Sequence, residues 1–129
     1  MSVLTELSYG EFLDKLAILE IKSERISDRE KLENVKKEKA VLERIWQETH
    51  KGDIDISNEY KALKEVNEKL WQIEDDIRDK ERDKIFDQEF IELARSVYFT
   101  NDERARIKKD INLKLGSDLV EEKSYSDYQ

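Results

Sequence analysis

Residues 90–125 read FIELARSVYFTNDERARIKKDINLKLGSDLVEEKSY, and the fold turns on how this stretch is divided. Its first part is apolar at helical spacing, with Phe90, Leu93, Ala94 and Val97 on one side. Its middle turns basic. Between Phe90 and Gly116 six Lys and Arg stand against four Asp and Glu, a local +2 inside a chain of net −8. At the change stands Thr100, with Glu103 three residues on. In such a capping box the hydroxyl accepts from the backbone N–H three residues later, and the carboxylate returns to the cap's own N–H. The pattern predicts two short helices, one capped by Asp87 and one by Thr100. The second carries Ile107, Ile111 and Leu115 and is closed by Gly116. Residues 117–129 have no helical period and are expected to form an extended tail with two tyrosines.

Upstream, two more capping boxes, Ser8/Glu11 and Ser27/Glu30, mark helix starts. The first helix is expected at about 8–26, on Tyr9, Phe12, Leu16, Leu19 and Ile26. Leu13, Ile18 and Ile21 widen its stripe, so this helix should be buried on more than one side. A second helix at about 28–50 carries Leu32, Val35, Leu42, Trp46 and Thr49, with Lys39 in the seam. Nothing between the two forbids one continuous helix. The stretch from His50 to Ser57 is the clearest loop, with Gly52 placed to end the helix before it. A third helix at about 58–85 carries Leu63, Val66, Leu70, Ile73 and Ile77, again in alternating steps of three and four. A short connection makes long helices antiparallel neighbours, so the second and third should form a coiled-coil-like hairpin. The run Asp79–Lys84 has no apolar residue and should project as a solvated end.

Composition agrees with this all-α reading: one helical-bundle domain over residues 1–129. The chain is 43% charged and 37% hydrophobic, against about 25% charged in ordinary domains. Such a balance suits long helices with narrow buried stripes. Three Gly and no Pro leave too few breakers for a sandwich or barrel. Without cysteine there is no disulfide, thiolate nucleophile or Cys-ligated metal. The N-terminus MSVLTELS lacks the basic start and apolar run of a signal peptide, and no stretch is apolar enough to span a bilayer. The protein is therefore expected in the cytoplasm, away from membranes. A charge of −8 disfavours the phosphate neutralisation on which nucleic-acid binding rests.

The candidate ligand site lies in the opening stretch. Spacing of four puts Arg104, Lys108 and Asn112 on one stripe beside Ile107 and Ile111. Asn101 and Asp102 sit at the expected helix start, where N–H groups and the dipole favour an anion. Arg95 and Tyr98 come from the end of the preceding helix. Together these seven residues would hold a phosphate, a carboxylate or a polar sugar, with Arg supplying a bidentate fork. The competing reading pairs the cations with acids of neighbouring helices. A second polar stripe is Asn67, Trp71, Glu74 and Arg78, where Asn67 reads as a buried amide that fixes helix register. The two tryptophans read as core or interface anchors.

Catalytic chemistry finds little footing. A di-iron bundle needs Glu-x-x-His pairs, and the one histidine, His50, falls at a loop edge. Glu30/Glu33 and Glu65/Glu68 have the spacing of an all-carboxylate Mg²⁺ site, but such pairs arise freely among 32 acids. They should face solvent on separate surfaces. No metal, cofactor or catalytic residue is expected.

The blocks GEFLDKLAILEIKSERI (10–26), VNEKLWQIEDDIR (66–78), LARSVYFTNDERARIKKDIN (93–112) and LVEEKSY (119–125) resemble a family of small helical proteins of unknown function found in marine phages and bacteria. The resemblance implies a helical fold and, if the chain is phage-encoded, the host cytoplasm. It brings no activity, and it singles out the Arg95–Asn112 cluster as a shared feature. Three functions stay open. The first is a non-enzymatic interaction or scaffold protein, self-associating as a homodimer through helix faces or meeting another protein. The second is a small binding module for an anionic or sugar-like molecule at the Arg95–Asn112 stripe. The third is a Mg²⁺-dependent phosphate hydrolase.

Overall fold

The computed structural model describes residues 1–50, 52 and 54–128. Four helices follow one another: α1 Tyr9–Arg25, α2 Arg29–Thr49, α3 Ser57–Arg82 and α4 Gln88–Leu115. Among the described residues there is no strand.

Helix α1 is the shortest, at 17 residues, and it is the hub. The Ser8 hydroxyl caps it by accepting from the Glu11 N–H at 3.1 Å, as the sequence predicts. The stripe is as broad as expected: Leu13, Leu16, Ala17, Leu19 and Ile21 are all buried. So wide an apolar surface serves several partners at once, and α1 packs against each of the other three helices. Ile26 ends it in an extended conformation, so α1 and α2 are separate helices. The cap of α2 lies one residue later than the Ser27/Glu30 box predicts. Asp28 supplies it, its carboxylate accepting from the Lys31 N–H at 3.0 Å. Aspartate caps as well as serine does, and its neighbour loses the role.

Helix α2 leans on α1 along one line. Val35 is its one buried residue, with Leu32, Leu42 and Trp46 half-buried. Trp46 stacks on Phe12 (centroids 6.0 Å apart) and meets Tyr9 edge-on, also at 6.0 Å. The expected α2–α3 hairpin is not what forms. The antiparallel pair is α3 with α4; the backbones of α2 and α3 stay apart among the described residues, and only the loop ends of the two helices, at Trp46 and Tyr60, line a common cleft. The apolar stripe of α3, through Leu63, Val66 and Ile73, is satisfied by α1 and α4, leaving α2 only the far side of α1. The connection between α2 and α3 includes positions 51 and 53, so part of the predicted loop lies outside the described residues. At its end Asp55 accepts from the Ser57 N–H at 2.9 Å.

Ion pairs close both ends of the α3–α4 hairpin. At the turn Lys80 meets Asp87 at 3.1 Å and Glu89 at 3.2 Å; at the open end Lys114 meets Glu59 at 2.6 Å. Asp87 caps α4 as predicted, accepting from the Phe90 N–H at 3.0 Å. Gly116 ends it as predicted, at φ 67°, a left-handed conformation that glycine adopts without a Cβ penalty.

The two short C-terminal helices of the sequence reading are one. α4 runs unbroken for 28 residues through Thr100, which is buried in mid-helix. A capping box biases a boundary by only about 1 kcal/mol. No Pro or Gly backs it here, and a continuous helix keeps its backbone hydrogen bonds while pairing with α3. The core gathers Leu13, Leu16, Ala17, Ile56, Leu63, Val66 and Ile111 where α1 crosses the hairpin. Beyond it, from residue 74 to residue 99, no side chain is fully buried, so the hairpin tip projects past α1.

Candidate functional site

The seven candidate residues fall on two faces of α4. Arg104, Lys108 and Asn112 share a stripe, as spacing predicts, and that stripe faces α1. Arg104 donates to Asp14 through both Nε (2.9 Å to Oδ1) and Nη2. Asp14 is 1% exposed, and its Oδ1 also accepts from Asn67 Nδ2 at 2.8 Å. Asn67 in turn donates to the Leu63 carbonyl at 3.0 Å. One buried carboxylate thus ties α1, α3 and α4 together, and Asn67 is the buried amide expected of it.

A turn further along, Lys108 donates to Glu11 Oε2 at 2.7 Å and to Glu121 Oε2 at 2.8 Å. Another turn on, Asn112 Oδ1 accepts from the Gly10 N–H at 2.7 Å. Gly10 is what lets α1 come this close. A Cβ there would overlap the Lys108 carbonyl oxygen and crowd Asn112 Oδ1 at 3.1 Å.

The electrostatics follow from this pairing. The Arg104 guanidinium is held above its ordinary range by its hydrogen bonds to Asp14, against the opposing effect of burial. Burial pulls the Lys108 ammonium down, but the bonds to Glu11 and Glu121 outweigh it and the net direction is up. The same bond holds the Glu121 carboxyl below its usual range. Arg104 and Lys108 are therefore neutralised within the protein. Their arrangement binds helix to helix and, through Glu121, binds the tail to α4.

The other candidates look elsewhere. Arg95 lies on the projecting tip, its Nε donating to the Tyr98 hydroxyl at 3.4 Å and its guanidinium 5.8 Å from the Phe99 centroid. Tyr98, Asn101 and Asp102 turn toward the tail. The tail doubles back along α4: Lys108 holds Glu121, Lys109 holds Glu122 at 3.4 Å, and the Tyr128 hydroxyl donates to Asp102. Tyr128 packs edge-on against Tyr98 (5.2 Å) and Phe99 (4.9 Å). Between these anchors the tail arches over a groove of ≈ 780 Å³ that Tyr98, Asn101 and Asp102 line together with Arg106, Lys123, Tyr125 and Tyr128. The last four are absent from the sequence-derived site. Arg106 lies two residues from both Arg104 and Lys108, on the opposite face of the helix, and the tail has no period that would place its side chains.

Two further clefts adjoin the helices. One of ≈ 500 Å³ is lined by Asn67, Trp71, Glu74, Arg78, Asn101 and Arg104, and brings the second polar stripe beside the first. The other, of ≈ 560 Å³, lies between the N-terminal arm and the α1–α2 face and is mainly apolar, with Val3, Leu4, Leu7, Val41, Ile45 and Trp46. Glu30 and Glu33 are exposed on α2, Glu33 beside Arg29 at 3.7 Å; Glu65 is exposed and Glu68 half-buried on α3. Among the described residues no three His, Cys, Asp or Glu gather as metal ligands, and no helix is long and apolar enough to cross a membrane.

A hub helix fastened to a helical hairpin by a buried Asp–Arg–Asn cluster defines a small all-α protein class. The chain belongs to DUF6165, a family of unknown function, whose model matches residues 3–128. No curated relative and no solved structure matches it.

Proposed function

We propose that this is a non-enzymatic interaction protein that pairs with a second copy of itself through the α1–α2 face. The observation that carries the reading is the apolar cleft on that face. Val41 and Ile45, one turn apart on α2, are exposed at 39% and 37%, and Leu4 of the arm at 96%. With Val3 and Leu7 they make a continuous apolar surface over Trp46. Contiguous apolar surface of this kind marks interaction sites on otherwise polar proteins. Among the described residues, α1 is the one helix packed on α2, and only the N-terminal arm lies beside this face.

Charge favours a second copy as the occupant. In an antiparallel, twofold contact centred on Val41, Glu38 of each copy faces Arg44 of the other, and neither residue has an ion pair within the chain among the described residues. A twofold contact is self-complementary by construction, so each such match occurs twice.

Sedimentation equilibrium at roughly tens of micromolar, a range that detects micromolar association, should give twice the 15.4 kDa chain mass. Ile45→Glu should return it to the monomer with helix content unchanged by circular dichroism. A wild-type protein at 15.4 kDa, or a dimer that survives Ile45→Glu, overturns the proposal.

A further inference from the structure

We infer that the groove beneath the C-terminal arch binds a small sugar anion, a ring-shaped polyol bearing one phosphate or carboxylate. Three features of the groove each select part of that ligand. The first is charge. Arg106 and Lys123 lie on its two sides, one from α4 and one from the tail, and neither takes part in an ion pair among the described residues. Every other basic residue on this side of α4 that faces an acid has found one: Arg104 has Asp14, Lys108 has Glu11 and Glu121, and Lys109 has Glu122. The groove lining also holds two carboxylates, Asp102 and Asp127, and the Lys123 ammonium lies 5.9 Å from the Tyr125 ring centroid. Two cations outside ion pairs beside two acids suit a ligand whose one anionic group meets the cations while its hydroxyls meet the carboxylates.

The second feature is flat apolar surface. Tyr125 is 80% exposed and Tyr98 43% exposed, both lining the groove. Exposed tyrosine rings offer an apolar face with a polar edge, which suits the C–H face of a pyranose. The third is the presence of Asp102 and Asn101 on the floor. An ionised carboxylate accepts only, with about four lone-pair positions, and the Tyr128 hydroxyl uses one. Its charge repels a bare anion but welcomes hydroxyl donors, which favours a polyol carrying the anion over inorganic phosphate. Asn101 can donate and accept beside it. The volume, ≈ 780 Å³, lies within the range of small-molecule sites.

The test is an amide-resolved NMR titration of the full chain with glucose 6-phosphate, glucuronate, glucose and inorganic phosphate, each to about 10 mM, enough to detect millimolar binding. Glucose 6-phosphate or glucuronate should shift the amides of Asn101, Arg106, Lys123 and Tyr125. Glucose and inorganic phosphate should bind at least about tenfold more weakly. Whichever of the two anions binds identifies phosphate or carboxylate as the charged group. Arg106→Ala with Lys123→Ala should weaken binding at least about tenfold, and Tyr125→Leu should weaken it independently, with helix content unchanged. Arg29→Ala, exposed at the start of α2 and away from the groove, should leave it unaltered. Three results overturn the inference: no groove shifts with either sugar anion, inorganic phosphate binding as tightly as both, or unchanged binding in the Arg106/Lys123 double variant.

Discussion

The two halves of α4 are one helix with two different jobs. Residues 88–99 lie on the projecting tip, where among the described residues α3 is the one helix alongside, the tail touches only the last turn, and no side chain is fully buried. Residues 100–115 lie against α1 as well, and there Thr100, Lys108, Ile111 and Asn112 are buried. The chemistry changes at Thr100 because the neighbour changes there. Upstream, Phe90 and Leu93 need only a shallow groove on α3. Downstream, α4 meets a helix that presents Glu11 and Asp14, and its face becomes cationic to match. A shift in apolar phase can therefore mark the arrival of a third helix as readily as the end of the second.

That contrast is easiest to break with arginines, one in each half. Arg104→Ala leaves Asp14 buried with Asn67 as its remaining side-chain donor, and stranding a buried charge costs roughly 3–5 kcal/mol. Arg95→Ala on the tip removes an exposed contact to Phe99 and Tyr98, worth less than about 1 kcal/mol. Urea denaturation of the two variants should separate them clearly. Equal losses would mean that the Asp14 cluster is not what joins α4 to α1.

Gly10→Ala sharpens the same comparison from the side of α1. In an ordinary helix interior the change would stabilise by about 0.5–1 kcal/mol, since glycine gives up more chain entropy on folding. Here the added methyl meets backbone, the Lys108 carbonyl, which cannot swing aside as a long side chain would. Overpacking of this kind costs roughly 1–3 kcal/mol, so the net effect should be destabilising. A more stable Gly10→Ala protein would show that α1 and α4 can separate slightly at no cost.

Much of this architecture was legible because helices advertise their faces. The Ser8, Asp87 and Gly116 termini and the breadth of the α1 stripe follow from local chemistry that tertiary contacts leave intact. Pairing was less legible. The stripes of α2 and α3 have the same alternation, and nothing in either says that α1 will stand between them. The stripe Arg104–Lys108–Asn112 was visible as a stripe, yet its partners Asp14 and Glu11 lie 90 and 97 residues away. Periodicity shows which residues share a face and is silent on what that face meets. The groove residues of the tail were hidden for a simpler reason: an extended segment without alternation carries no signal of where it folds back.

The smallest expected effect concerns the tail. Glu121 is held below its ordinary 4.5 chiefly by the Lys108 hydrogen bond. A carboxyl whose folded pKa is depressed contributes its full stabilisation above the unfolded value, and loses it as pH falls through the folded one. Lys108, raised above its ordinary 10.5, has the opposite sign: full contribution below that value, lost as pH rises through the folded one. The tail attachment should therefore be flat across neutral pH and fail in acid, where Glu121 takes up a proton. Because half of the Glu121 side chain is in water, the attachment is worth only about 0–1 kcal/mol and global stability should hardly move. The readout is local: in NMR spectra, tail amides around Lys123 should drift toward unstructured positions as pH falls below the ordinary 4.5 of a glutamate. Glu121→Gln should place them there already at neutral pH. If that variant keeps the wild-type tail spectrum, the arch is held by Lys109 on Glu122 and Tyr128 on Asp102 without help from Lys108.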